Sequence, residues 1–254
     1  MEDTHSFLSV FNNMDAAELE RLRDAYNAEH PSEPPIKGNI WKELTRRLKK
    51  KCDTGAPSCI VHEIADRPTA PTKWKGNLDT TWLSSSDIES ALNEYAKLLP
   101  DFHYVGTVPI DFDKHAKTGE CLISALCSLN LNDLYKKGIR RVGIVFNTDM
   151  STGPGQHWIA AFCDMRPDVV EHTTYFDSYA RYPEPEIVRL MQRWADQRPG
   201  MILRYNKLRH QRKNAQCGMY CIYFIYCSLF DIPMKRVIPD DVIAMMRPMF
   251  FKGL

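Results

Sequence analysis

The chain has 254 residues, 44% of them hydrophobic, and its 33 basic and 32 acidic side chains leave a formal net charge of +1. That length allows one large or two modest domains around a substantial apolar core. The near-neutral balance excludes a global field that would draw the chain to nucleic acid or to an anionic membrane.

The amino terminus, MEDTHSFLSVFNNMD, is acidic and lacks both a basic leader region and a long apolar run, so it does not read as a signal peptide. No window reaches the run of about 18 apolar residues that a membrane span needs. Residues 15–29 predict an amphipathic helix with Leu19, Leu22 and Tyr26 on one face, and 40–51 a second one built on Trp41, Leu44 and Leu48. Pro31-Ser32-Glu33-Pro34-Pro35 separates them. The second helix carries a basic cluster, Arg46, Arg47, Lys49, Lys50 and Lys51. A solvated helix face is the favoured reading. Contact with nucleic acid or an acidic partner is the minority one, since no aromatic residue is interleaved to stack on bases.

Cys52, Cys59 and His62 fall on a stretch read as a polar loop, where reduced thiols are expected ahead of a disulfide or a metal site. Residues 66–78 have the Pro, Thr and Gly content of a linker. They set a boundary between a helical amino-terminal domain, 1–78, and a core, 79–254. The core opens with Trp82-Leu83, and Ser86-Asp87-Ile88-Glu89 reads as a capping box leading into a helix that runs to about Leu99. Next come a strand near 103–109, a buried helix near 121–136, and strands near 141–147, 157–163 and 172–177. An amphipathic helix follows over 185–197, with Pro185 in its first turn and Ile187, Leu190, Met191 and Trp194 along one side. A strand at 201–205, a helix from Cys217 and a last helix near 239–249 complete the chain. Helices and strands mix without alternating strictly, so the fold class is α+β with a largely antiparallel or mixed sheet. The eight cysteines (52, 59, 121, 127, 163, 217, 221 and 227) contain no Cys-x2-Cys pair and mostly lie in apolar runs. Neither a zinc site nor a disulfide framework is expected, and no cofactor is implied.

Chemistry concentrates in three places. CGMYCIYFIYCSLF, from Cys217 to Phe230, has no charge and no proline, as expected of a helix buried on all sides. A cysteine at its start would meet the unpaired N–H groups and partial positive charge that favour a thiolate, and Gly218 beside it would let a substrate backbone approach. His157 opens the run HWIAAFC after the loop Ser151-Thr152-Gly153-Pro154-Gly155, so its imidazole can face a cleft from a rigid strand and exchange a proton with the thiol. Asp177 closes Thr173-Thr174-Tyr175-Phe176 and can hold the imidazole's tautomer. Gln211, six residues before the cysteine, offers a neutral N–H for an oxyanion, with Gln216 as a lower-ranked competitor. Taken singly, each has a bland reading: a core histidine, a turn-forming aspartate, a small buried thiol. Their order and the Gln-x5-Cys-Gly spacing favour a nucleophile, a base, an orienting acid and an oxyanion donor acting together.

His157-Trp158 before an apolar strand, Tyr175-Phe176-Asp177-Ser178, and Gln211-x5-Cys217-Gly218 resemble the clan of SUMO-specific (ubiquitin-like) and adenovirus proteases. Within that clan, Asn147-Thr148-Asp149-x-Ser151-Thr152-Gly153-x-Gly155-x-His157-Trp158, Asp164-Met165-Arg166 and Arg209-His210-Gln211-Arg212 look most like the polyprotein-processing proteases of large DNA viruses, African swine fever virus among them. The similarity covers most of residues 80–254. It implies a papain-like core with a mixed central sheet flanked by helices. By the same resemblance Cys217 is the nucleophile, His157 the general base and acid, Asp177 the orienting group and Gln211 the oxyanion donor. Relatives cleave after Gly-Gly through a narrow channel. Trp158 is therefore a candidate channel wall, while a core aromatic remains an equal alternative. The substrate implied is a viral structural polyprotein, and the setting the host cytoplasm and the virion. A deconjugase of a ubiquitin-like modifier is the rival enzyme, and an inert binding module of the same fold the rival of a different class.

Overall fold

The computed structural model describes residues 16–76, 80–117 and 119–254. The amino-terminal stretch read above for a signal peptide lies outside them. The chain divides into two compact units, one comprising residues up to Asp66 with Lys97–Pro100, the other Arg67–Ala96 with Asp101–Leu254. Among the described residues no helix is long and apolar enough to cross a membrane.

In the first unit, helices α1 (Ala16–Glu29), α2 (Ile40–Leu48) and α3 (Pro57–Ile64) bury Leu22, Tyr26, Leu44, Leu48, Ile60, Val61 and Ile64. Asn39 caps α2, its side chain accepting from Lys42 N at 3.0 Å. Three of the five clustered cations are paired: Arg46 with Glu43 (2.9 Å), Arg47 with Glu33 (3.2 Å) and Lys51 with Glu63 (2.8 Å). Helix α3 corrects the loop expected around Cys59 and His62. Pro57 stands in its first turn and His62 is buried with Ile60, Val61 and Ile64. Cys52 and Cys59 form a disulfide across Cα atoms 5.7 Å apart, where reduced thiols were expected. The turn after α2 folds Cys52 back onto the start of α3, a pairing that a seven-residue spacing does not reveal.

In the second unit, the segment expected as a linker is packed. Ala70 N donates to Lys252 O and Lys252 N to Pro68 O, each at 2.8 Å. A 3-10 turn over Thr72–Trp74 then buries Trp74 completely, edge-on to Phe251 at 4.8 Å and under the Arg247 guanidinium at 4.7 Å. Helix α4 (Ser85–Leu98) is capped two residues earlier than expected. Ser84 N donates to the Asp87 carboxylate (2.8 Å) and Asp87 N to Ser84 Oγ (3.3 Å). Glu89, released from capping, accepts from Thr107 N (3.2 Å) and Thr107 Oγ (2.5 Å) on β1 (Phe102–Pro109). There the register slips between Tyr104 and Thr107, and Gly106 supplies the required φ of +122°.

Strands β2 (Arg141–Asn147), β3 (Trp158–Asp164), β4 (His172–Phe176) and β5 (Ile202–Tyr205) complete a five-stranded sheet in the order β1-β2-β3-β4-β5. The outer pairs β1/β2 and β4/β5 are parallel and the inner pairs antiparallel, so the sheet is mixed and the fold α+β. Strands β2 and β3 are buried almost throughout, and their sequences accordingly read as continuous apolar runs. On one face Ile144, Ile159, Ala161 and Tyr175 pack with Ile187, Leu190 and Trp194 of α7 (Pro185–Gln197). On the other lies α8 (Cys217–Leu229), whose Phe224 stacks on Phe176 at 4.6 Å.

The single buried helix expected near 121–136 is instead two short ones, α5 (Ser124–Cys127) and α6 (Leu131–Lys136). Asn130 breaks and restarts the run, its side chain accepting from Asp133 N at 3.1 Å. Cys121 and Cys127 are joined as a second disulfide that was not expected. The closing helix is likewise divided, into α9 (Asp240–Met245) and α10 (Arg247–Phe250). Replacing Trp74 by Ala should cost about 3–5 kcal/mol, as for other fully buried tryptophans. A denaturant midpoint that barely moves would mean that residues 67–76 are the expected linker after all.

Candidate active site

His157, Asp177 and Cys217 come together at one end of the sheet. His157 sits one residue before β3, and Asp177 one residue after β4. The β3/β4 register pairs Ala160 with Phe176. Carried one pair further, it sets Asp177 opposite Ile159, on the same face as His157 two residues before. The imidazole Nε2–H donates to Asp177 Oδ1 at 2.7 Å, leaving Nδ1 for the side-chain hydrogen bond with Cys217. Cys217 is the first residue of α8, in the position the sequence suggests.

The loop between β2 and β3 fixes the histidine. Asn147 Oδ1 accepts from Asp149 N (2.9 Å) and Gln156 N (3.0 Å), while Asp149 Oδ2 accepts from Gly155 N (2.9 Å). Gly155 adopts φ +92° within contact of the Asn147 side chain, which is why a glycine stands there. Asp177 is fully buried. Its Oδ1 also accepts from Tyr179 N (2.9 Å), and its backbone is clasped by Asn206, which accepts from Asp177 N (2.9 Å) and donates to Asp177 O (2.8 Å).

Electrostatics distinguish this histidine from the rest. Burial works against a charged His157, but the hydrogen bonds to Asp177 and Cys217, reinforced by their charges, outweigh it and lift its pKa from 6.5 to about 9. His210 shows the contrary case: burial lowers its pKa, and its Nδ1 accepts from Ile238 N at 3.2 Å. Among the free cysteines, burial pushes Cys163 and Cys227 up to about 12 and Cys221 well above its ordinary value, holding them as inert thiols. Cys217 is the free cysteine hydrogen-bonded to an imidazole.

Gln211 is buried on the loop before α8. Its Oε1 accepts from Ser178 Oγ (2.6 Å) and its Nε2 donates to Lys213 O (2.5 Å), so one of its two N–H groups is used inside the loop. Its side-chain hydrogen bonds among the described residues thus go to Ser178 and Lys213, not to His157 or Cys217. Gln216 turns its Oε1 to Arg247 at 3.2 Å. Trp158 is buried, donates its indole N–H to Leu83 O (3.0 Å), and stands over Gly218, where an added Cβ would lie 3.3 Å from the indole and 3.0 Å from Leu83 Cβ. Trp158 and Leu83 also wall a groove of about 620 Å³ that continues along Trp82, Val108, Leu122 and Met150.

Sequence reading missed Tyr179 and Arg247. The Tyr179 ring lies 5.0 Å from the His157 ring, and its hydroxyl donates toward Lys213 O (3.0 Å) and Asn214 Oδ1 (3.1 Å), tying the histidine side to the loop that carries Gln211. Tyr179 falls two residues after Asp177, in the register position opposite His157, so extending the strand pairing beyond β4 could have found it. Arg247, fully buried, holds Gln216 and the Thr81 carbonyl behind the start of α8. Nothing local in its sequence signals that.

No protein-family model matches the chain. Over 232 residues it is 29% identical to the cysteine protease S273R of African swine fever virus, across 80% of this chain and 84% of that one. It is also 29% identical over 224 residues to R355 of Acanthamoeba polyphaga mimivirus, described as a thiol protease, across 80% and 69% of the two chains. The crystal structure of the African swine fever virus pS273R protease matches with a TM-score of 0.62 at 22% identity, covering 87% of this chain and 92% of that one, a likeness of fold. The chain is a cysteine protease. More narrowly, it is similar to cysteine proteases of large DNA viruses, among them one named SUMO-1 cysteine protease.

The raised pKa of His157 has a definite sign. An unfolded histidine titrates near 6.5. The folded form therefore gains stability from the protonated ring below about pH 6.5, and loses that increment as pH rises towards 9. A magnetic-resonance titration of His157 should show a midpoint near 9, moved down in Asp177→Asn. A wild-type midpoint at the ordinary value would break the link between the ring and its two partners.

Proposed function

We propose that the chain is an endopeptidase that cleaves after Gly-Gly sites in viral structural polyproteins during particle maturation, in the host cytoplasm and the virion. The observation that carries this reading is the His157 imidazole bonded to Cys217 on one side and Asp177 on the other, at the first residue of α8. Residues 1–78 are taken as an accessory helical domain and 79–254 as the catalytic core.

Cys217 transfers its proton to Nδ1 of His157, and the imidazolium so formed is stabilised by Asp177 through Nε2–H. The helix N-terminus favours the thiolate. The sulfur attacks the carbonyl carbon of the second glycine. The negative charge that develops on its oxygen is met by the backbone N–H of Cys217 and by the second N–H of Gln211, whose amide is held by Ser178 and Lys213. His157 then protonates the departing amine, and a water activated by the same imidazole hydrolyses the thioester. Leu83, Ile88 and Trp158 pack so closely on Gly218 that its lack of a side chain serves this packing, and the groove that Trp158 and Leu83 wall is taken to receive the acyl side of the substrate.

A deconjugase acting on a ubiquitin-like modifier is the second reading, favoured by the name SUMO-1 cysteine protease borne by an African swine fever virus relative. The chemistry would be the same. Matched substrates, one a polyprotein junction and one a modifier fused through its carboxyl terminus, separate the two by their relative kcat/KM.

Cys217→Ala should abolish turnover and labelling by an electrophilic Gly-Gly peptide while the melting temperature stays within a few degrees. Retained turnover would move the nucleophile elsewhere, and a wild-type chain that resists labelling would favour an inert binding module. Gln211→Ala should lower kcat by roughly two to three orders of magnitude, as for other oxyanion donors. A normal rate in that variant, with a loss in Gln216→Ala, would exchange the two roles. Alanine for glycine at either position before the scissile bond should reduce kcat/KM at least about a hundredfold, on the order of the steric exclusion a closed channel gives. Equal cleavage of the alanine peptides would end the Gly-Gly assignment.

A further inference from the structure

Beside the His157 ring, outside the groove lined by Trp158, a set of cations has no assigned role. Tyr179 touches the His157 ring at 5.0 Å. The guanidinium of Arg181 lies 4.9 Å from the Tyr179 ring centre and that of Arg209 5.3 Å. Arg212 and Lys213 follow on the loop whose carbonyl receives the Tyr179 hydroxyl. All four cations are exposed, and none forms an ion pair among the described residues. The neighbouring carboxylates are already engaged and buried. Asp177 holds His157, and Asp240 accepts from the backbone N–H groups of Arg212 (2.8 Å) and Lys213 (3.0 Å). The groove that begins at Trp158 includes none of these residues and carries a single charged side chain, Lys73.

We infer that Arg181 and Arg209, flanked by Arg212 and Lys213, form a subsite for carboxylate side chains in the substrate segment that leaves as the amine. The inference rests on the cleavage proposed above. There, the acyl part of the substrate occupies the groove walled by Trp158 and Leu83. The imidazole must hand its proton to the departing amine, so the surface at its other flank meets the residues that follow the scissile bond. Two guanidiniums held against one aromatic ring present a preorganised pair of donors. Carboxylates suit them through charge-assisted, bidentate hydrogen bonds. Exposure makes the gain one of steering and selectivity, sensitive to salt.

The test uses peptides identical through the Gly-Gly pair and bearing, in the next three positions, acidic, neutral or basic residues. The readout is the ratio of kcat/KM for the acidic over the basic peptide, which cancels any loss of active protein in a variant. The wild type should favour the acidic peptide by about tenfold at low ionic strength, and the ratio should fall towards one at about 0.5 M salt. Arg181→Glu and Arg209→Glu should each bring it to one or below and improve the basic peptide relative to the neutral one. A wild-type ratio near one, or a ratio unmoved in both variants, overturns the subsite. If no peptide is turned over, the Gly-Gly reading fails separately. Binding to Cys217→Ser, read by fluorescence anisotropy, then decides the subsite, which is overturned if the acidic peptide binds no tighter than the basic one. A short oligonucleotide that binds tighter than the acidic peptide, and is lost in the same variants, would give these cations to phosphates instead and equally overturn it.

Discussion

A histidine ring held between a carboxylate and a thiol governs how the rest of this unit is built. The His157 ring is only 8% exposed, so its positive form stands at a cost unless both partners are in place. Removing the carboxylate from such a buried pair typically costs about 3–5 kcal/mol, because the remaining charge is left uncompensated. The surrounding structure is accordingly committed to holding three points still. The β3/β4 pairing fixes His157 relative to Asp177, Asn206 clasps the backbone of Asp177, and Asn147 with Asp149 ties down the approach to the histidine. Asp240 gathers the backbone just before α8, and Ser178 O accepts from both His210 N and Gln211 N. A sheet end and a helix start, each rigid, thus meet through loops whose polar groups are spoken for.

The apolar helix α8 explains why a single cysteine is poised for chemistry. Four cysteines on the chain are free thiols, and three of them are surrounded by hydrocarbon that raises their pKa and leaves them protonated. Cys221 and Cys227 share a helix with Cys217 and even its apolar neighbours. What separates Cys217 is position: the first turn, where backbone N–H groups are unspent, and an imidazole within hydrogen-bond reach. The same turn is backed by Arg247, a fully buried guanidinium that holds Gln216 and the Thr81 carbonyl and lies over Trp74. Its anchoring depends on the 67–76 segment being packed, so a stretch that looks like a linker has a part in fixing the start of α8.

Strong periodicity made the central elements legible. Strands expected at 141–147, 157–163 and 172–177 appear within a residue of their places, and α7 spans the 185–197 range, because continuous apolar runs and a 3.6-residue stripe leave few alternatives. His157, Asp177 and Cys217, picked out by type, order and spacing, do come together in the structure. What failed did so where a local signal was overridden or shared. Ser86 and Glu89 match a capping box, yet Ser84 and Asp87 match it as well. Glu89 was drawn instead to Thr107, a contact eighteen residues distant that no local rule contains. Residues 66–78 have a linker's composition, but one tryptophan with a cavity to fill outweighs several prolines and threonines. The disulfides Cys52–Cys59 and Cys121–Cys127 depend on turns that bring Cα atoms to 5.7 and 6.6 Å, and spacing alone carries no such distance. Arg247 acts through tertiary contacts and was invisible for that reason, whereas Tyr179 needed the β3/β4 register carried past the end of β4.

Under the proposed cleavage after glycine, chemistry at the sulfur does not choose the substrate, because a polyprotein junction and a modifier's tail would present the same carbonyl. The choice must lie in what the enzyme touches on either side. One bank is an apolar groove in which Trp82, Leu122 and Met150 expose large side chains beside a lone lysine. The other is a set of arginines around Tyr179 without carboxylate partners among the described residues. An extended segment threading the site would meet apolar surface before the scissile bond and positive charge after it. Unlike banks of this kind read direction as well as composition, since a reversed chain would put its carboxylates against hydrocarbon and its apolar side chains against guanidiniums, losing both gains at once.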